Sequence, residues 1–171
     1  MSGIERAFEA FKAICDYMRT ANLKYEVPGE ENVAFVTIKG EQFPVTLMFS
    51  VRADNERVDT YCELPFSVRE GQTLSYAKAL NAVNGMLPMG KFCYYPQEGT
   101  CTYENSEFLS GLSGFTESYG RMIVAGAYTL IQEFISPLFE VACGRMTAEQ
   151  LEKSLHQKQG KRKQSDGKET I

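Results

Sequence analysis

The sequence predicts an α+β fold of two layers, with elements in the order α-β-β-β-α-β-β-α and an antiparallel sheet carrying its helices on one face. Three observations predict it. Apolar residues recur at helical spacing near the start, again over about 70–84, and again from about 117 to 142. Between the first two helical stretches lie three β-branched and aromatic runs joined by short connectors. Between the last two lies one more pair of such runs around a turn. Alternating polarity along these runs marks a sheet with one dry and one wet face, the pattern of antiparallel strands.

Ser2-Gly3-Ile4-Glu5 fits a capping box, with Ser2 and Glu5 as its polar ends. Ile4, Phe8, Phe11, Cys15 and Met18 then form an apolar stripe, with Glu5, Glu9, Lys12, Asp16 and Arg19 mostly off it. This is an amphipathic first helix ending near Ala21. "LKYEV" offers a short strand before the meander "NVAFVTIKG", "FPVTLMFSV" and "RVDTYCELPF". Val45, Leu47, Phe49 and Val51 share one face of the second run. Val58, Thr60, Cys62 and Leu64 share one face of the third, opposite Asp59, Tyr61 and Glu63. Gly40-Glu41-Gln42 and Ala53-Asp54-Asn55 are short enough for hairpins. The second helix places Tyr76, Leu80, Val83 and Leu87 on one stripe and ends at Asn84-Gly85, suitable residues for a left-handed cap. "KFCYY" and "CTYENSE" then flank "PQEGT", where Glu98-Gly99 signals a turn.

The third helix, from Thr116 or Glu117 to about Ala142, carries two apolar stripes: Ile123, Ala127, Leu130 and Phe134, and Tyr128, Ile131, Ile135 and Phe139. A helix apolar on most sides is buried on most sides. Either another copy of the chain or the middle of its own core supplies the second cover, so a homodimer through this helix is one expectation. Pro137 predicts a break or kink, with Ser136 able to cap the restart. No membrane span is expected here, because Gln132 and Glu133 sit mid-span and one acid there costs about 2.5–3.5 kcal/mol on insertion scales. Thr147-Ala148-Glu149-Gln150 fits a second capping box opening a short helix. From Gln157 the chain is polar and charged, so the reading is one domain over 1–156 and a disordered basic tail over 157–171.

The chain of 171 residues carries a formal charge of -4, and its 43% apolar content is enough for a core. Residues 1–146 hold 12 basic and 18 acidic side chains, while residues 147–171 hold six and four. An acidic body with a mildly basic tail argues against nucleic-acid binding. "MSGIERAF" shows no secretory signal. The five cysteines, Cys15, Cys62, Cys93, Cys101 and Cys143, contain no C-x-x-C pair. A reducing, cytoplasmic setting follows, with the thiols as small apolar residues.

"GMLPMGKF" matches the phosphate-loop pattern as far as its lysine, but Phe92 replaces the metal-binding Ser or Thr. Its context is also inverted: a helix precedes Gly85, a strand follows Lys91, and Pro88 has no N–H to donate. The one histidine, His156, lies beside the tail, so no Cys–His or Ser–His pair and no metal site is expected. Glu30-Glu31 reads as solvated charge. Asn81 and Asn84 could bond a ligand, but residues so placed more often satisfy nearby backbone. Lys161-Arg162-Lys163 could meet an acidic partner or simply solubilise the tail. No enzyme, cofactor or metal is expected.

The order of elements, with "ELPFSVREGQTLSYAKALNAVNGMLPMGKFCYYPQEGTCTYENSEF" and "FISPLFEVACGRMTAEQ", resembles the YbjN family within the type III secretion chaperone-like fold. The resemblance spans roughly residues 4–155. It implies a bacterial protein described as a sensory transduction regulator or uncharacterised. Secretion chaperones of this fold are acidic homodimers that bind an extended segment of another protein, and no catalytic residues carry over. The expected function is a non-enzymatic protein-binding module, chaperone-like or regulatory. Its surface would be the sheet face opposite the helices, or grooves beside the first helix. Tyr61, Tyr94 and Tyr95 are candidate anchors where they do not simply pack across strands. The alternative is a small-ligand or lipid-binding domain with a Phe- and Met-lined pocket between sheet and third helix.

Overall fold

The computed structural model describes residues 2–29, 31–112 and 114–166, with side chains as far as Lys158. The elements are α1 (Gly3–Thr20), β1 (Tyr25–Glu26), β2 (Val33–Ile38), β3 (Val45–Arg52), β4 (Arg57–Glu63), α2 (Thr73–Asn84), β5 (Lys91–Tyr95), β6 (Thr100–Phe108), α3 (Glu117–Ala142) and α4 (Ala148–Asp166). The fold is α+β in the expected order, with β1 added by "LKYEV" and α4 by the second capping box. All strand pairs are antiparallel, in the order β1-β2-β3-β4-β6-β5.

Period two divides the sheet as expected. Val45, Leu47, Phe49 and Val51 of β3 and Val58, Thr60 and Cys62 of β4 are buried toward the helices. Phe92 and Tyr103 continue that face, their rings 5.3 Å apart, and Phe92 meets Phe134 of α3 at 6.2 Å. Phe92, which spoils the nucleotide pattern, is therefore a core residue, 2% exposed. α1 and α3 pack together over β3, α2 lies against β5, and α4 stacks on α2.

Both capping boxes form. Ser2 accepts from the Glu5 N–H while Glu5 accepts from the Ser2 N–H, and Thr147 and Gln150 exchange the same pair of bonds.

Three expectations change. On α1 the buried face is Ala7, Ala10, Ala13, Ile14, Cys15 and Met18, while Ile4 and Phe8 are 74% and 56% exposed. The helix is turned because it seats against α3 at Gly120, where any Cβ would collide with the Ala13 carbonyl. Small residues, not large ones, permit that approach. Pro137 neither ends nor divides α3. It removes one N–H donor, and burial of Phe134, Ile135, Leu138 and Val141 on both sides of it holds the helix together. Gly85 is right-handed, with φ -65°, so α2 leaves through a tight turn in which Met86 N–H reaches the Val83 carbonyl at 2.9 Å. The α4 backbone is helical to Asp166. Leu151 and Leu155 anchor its first half. The Gln, Lys and Arg residues that follow are good helix formers, and they extend an existing helix without a new nucleus. Residues 167–171 lie outside the described residues.

Candidate binding face

The sheet face turned away from the helices has no covering layer among the described residues. Its register brings one residue from each strand into a row: Glu26, Phe35, Met48, Tyr61, Glu104 and Lys91. Phe35, Met48 and Tyr61 are half-buried and adjacent, an apolar centre on an otherwise polar face. Large apolar groups on an open face either pack against each other or wait for a partner. Here they do the first only in part.

On the β5 side of this centre, Glu104 collects donors. The Tyr95 hydroxyl donates to its Oε1 at 2.6 Å and the Thr102 hydroxyl donates to the same oxygen at 2.8 Å. Lys91 Nζ stands 3.9 Å from Oε2. The carboxylate that accepts the Tyr95 proton pushes that phenol up to about 12. Partial burial, then Glu63 and Glu104, push Tyr61 up as well. Both phenols thus remain hydrogen-bond donors at any physiological pH. Toward the β3–β4 turn, Asp59 accepts from Ser106 at 2.6 Å and from Arg57 at 2.8 Å. Arg52 approaches Asp59 at 3.7 Å. The face therefore has an apolar middle between two ordered polar clusters.

The three candidate tyrosines separate. Tyr61 and Tyr95 share the open face, and Tyr95 is 41% exposed. Tyr94 points to the helix side, its ring 5.5 Å from that of Tyr76. The separation follows from period two in "KFCYY", where Tyr94 must share a face with Phe92. Phe35 and Met48 complete the centre. Their own strands show which face they take, but only the register shows that they meet Tyr61.

A second apolar surface lies on the outer side of α3. Pro88, Met89, Arg121, Met122, Gly126 and Leu130 line a groove of about 470 Å³. Met122 is 46% exposed, and an added Cβ at Gly126 would stand 3.7 Å from Met89 Sδ. The pocket expected between sheet and third helix is displaced to this outer side. Buried Ile131, Phe134, Phe92 and Leu47 fill the interval itself. Burial pushes the Cys62 thiol up to about 12 and raises Cys15, Cys93 and Cys101, which makes these four poor nucleophiles. His156 sits exposed on α4, 3.9 Å from Glu152. Among the described residues no three His, Cys, Asp or Glu side chains stand close enough to hold a metal ion.

Residues 10–133 match the model of the YbjN family, described as a "putative bacterial sensory transduction regulator". The chain belongs to the YbjN family. The matched span runs from the middle of α1 to α3, so it includes the whole sheet and every residue of the open-face row. Among solved structures, this YbjN chain is similar to "YbjN, a putative transcription regulator from E. coli", with a TM-score of 0.55 and 12% identity over 78% of this chain and 92% of the other. That likeness shows the fold. The ExsC-ExsE complex is also matched, at a TM-score of 0.49 and 13% identity over 75% of this chain and 92% of that one. A comparison with curated protein sequences finds no significant match.

Proposed function

We propose that this YbjN protein is a non-enzymatic binding module that holds a segment of another polypeptide on its open sheet face, in a regulatory or chaperone-like role in the cytoplasm. The observation that carries the reading is the uncovered row Phe35, Met48 and Tyr61, with Tyr95 beside it. Aromatic and methionine side chains are what protein interfaces concentrate. The description of the family as a regulator agrees, and the acidic body favours regulation through protein contact over contact with nucleic acid. In this reading the outer groove of α3 takes a second copy of the chain, since Met89, Met122 and Leu130 present an apolar strip that one copy leaves partly open.

The test replaces Tyr61 in the full chain by a photo-crosslinking phenylalanine derivative and identifies what it captures in the source cell. One defined protein should be crosslinked, and Met48→Glu should abolish that product. If the same product survives Met48→Glu, the binding face lies elsewhere. If no protein is captured and native mass spectrometry finds a small molecule retained, the α3 groove is a ligand site and the protein-binding reading fails.

A further inference from the structure

β5 is the last strand of the sheet, so one side of it has no strand neighbour. Such an edge offers free N–H and C=O groups to any extended chain, and proteins commonly obstruct it. Here the obstruction is a side chain. The Asn84 amide nitrogen donates to the Phe92 carbonyl at 2.9 Å, and its amide oxygen accepts the Phe92 N–H at 2.8 Å. One planar amide thus makes both bonds that a neighbouring strand would make at that residue. Phe92 lies opposite Tyr103 of β6 in the register, yet its main-chain groups turn away from β6 toward Asn84. Two residues on, Tyr94 aims the same two groups the same way. Among the described residues no side chain hydrogen-bonds to them.

We propose that Asn84 is an edge stopper, which prevents a second copy of this chain from adding its own β5 across the sheet edge. The symmetry of such a contact explains why one blocked residue is enough. Two β5 strands meeting antiparallel about a twofold axis at Cys93 would set Phe92 of each copy opposite Tyr94 of the other. Both hydrogen-bonded pairs then need Phe92, once from each side. Occupying Phe92 closes both in this register. Lys91 would face Tyr95, so nothing in the charge pattern opposes the pairing. The amide is the obstacle. It also accounts for an asparagine at the end of α2 whose main chain does not take the left-handed cap that this residue type favours. The inference stands apart from association through α3, because its contact does not use that helix, and it meets the open face only at the β5 rim, where Lys91 and Tyr95 lie.

The experiment measures amide hydrogen exchange and mass by light scattering over a concentration series, for the full chain and for Asn84→Ala. In the unaltered protein Phe92 should be protected and Tyr94 should exchange freely. In Asn84→Ala, Phe92 protection in the unassociated form should fall roughly five- to tenfold, the loss of about one hydrogen bond. The mass should rise one association step beyond that of the unaltered protein, and Tyr94 should become protected as it does. Asn84→Ser, too short to bridge both groups, should behave the same way, and Asn81→Ala should change nothing. The idea is overturned by equal exchange of Phe92 and Tyr94 in the unaltered protein, by variants that gain no association, or by association that strips protection from β4 and β6.

Discussion

Arg6 of α1 and Glu56 of the β3–β4 turn form a two-pronged ion pair, with Nε at 2.7 Å and Nη2 at 2.9 Å from the two carboxylate oxygens. Glu56 is one of two described non-glycine residues with positive φ, at 47°. Its carbonyl accepts the Leu109 N–H at 2.7 Å, so the pair holds a turn that also ties down the end of β6. The hydrogen bond from Arg6 and then its charge hold the Glu56 carboxyl below its ordinary value of 4.5, against partial desolvation. A carboxylate depressed on folding stabilises above its unfolded pKa, and the contribution disappears as pH falls through the folded one. Arg6→Gln should therefore melt lower than the unaltered chain near neutral pH, and the gap should close as pH falls from 4.5 through the lower folded value. A gap that stays constant through acid would mean that the pair contributes nothing through charge. The pair joins residues 50 positions apart. Its partners are ordinary surface types, and nothing in their local sequence marks them, which is why only the capping box at this end of α1 could be read in advance.

Among the elements, the hairpins and the buried stripe of α2, Tyr76, Leu80 and Val83, were legible, and the face of α1 was not. Period two leaves only one dry face for β3 or β4, so Tyr61 could be placed outward before any contact was known. The insertion of β6 between β4 and β5 is a long-range choice that no local pattern encodes. Hydropathy misplaced α1 for a different reason. It weighs Ile4 and Phe8 above Ala7 and Ala10, whereas closeness to Gly120 of α3 decides the packing. Two substitutions separate these accounts. Phe8→Ser, on a side chain 56% exposed, should shift stability by no more than about 0.5 kcal/mol. Ala10→Leu, at a position 0% exposed, should cost about 1–3 kcal/mol by overpacking. Denaturant unfolding measures both. A large loss at Phe8 with tolerance at Ala10 would restore the stripe that hydropathy drew.

For the whole molecule, the open sheet face and the outer groove of α3 lie on opposite sides of the core, since α3 stands between its groove and the sheet. α3 is long and apolar enough by composition to cross a membrane, but ten of its residues are buried in this core. Its remaining apolar strip is therefore a surface on a packed helix. Two surfaces on opposite sides can be occupied at once, one by a second copy and one by a partner, without competing. That arrangement makes the two activities separable. Met122→Lys places a charge in the groove on a side chain already 46% exposed, so the fold should be unaffected. Light scattering at high micromolar concentration should show the unaltered chain as a dimer and Met122→Lys as a monomer. The crosslink from position 61 should persist in that monomer. Met48→Glu should do the reverse, keeping the dimer mass while losing the crosslink. A monomeric mass for the unaltered chain would remove the second copy from the groove and leave the sheet face as the one docking surface. Loss of the crosslink in the Met122→Lys monomer would show that the partner needs two copies, and would join the two surfaces that the fold holds apart.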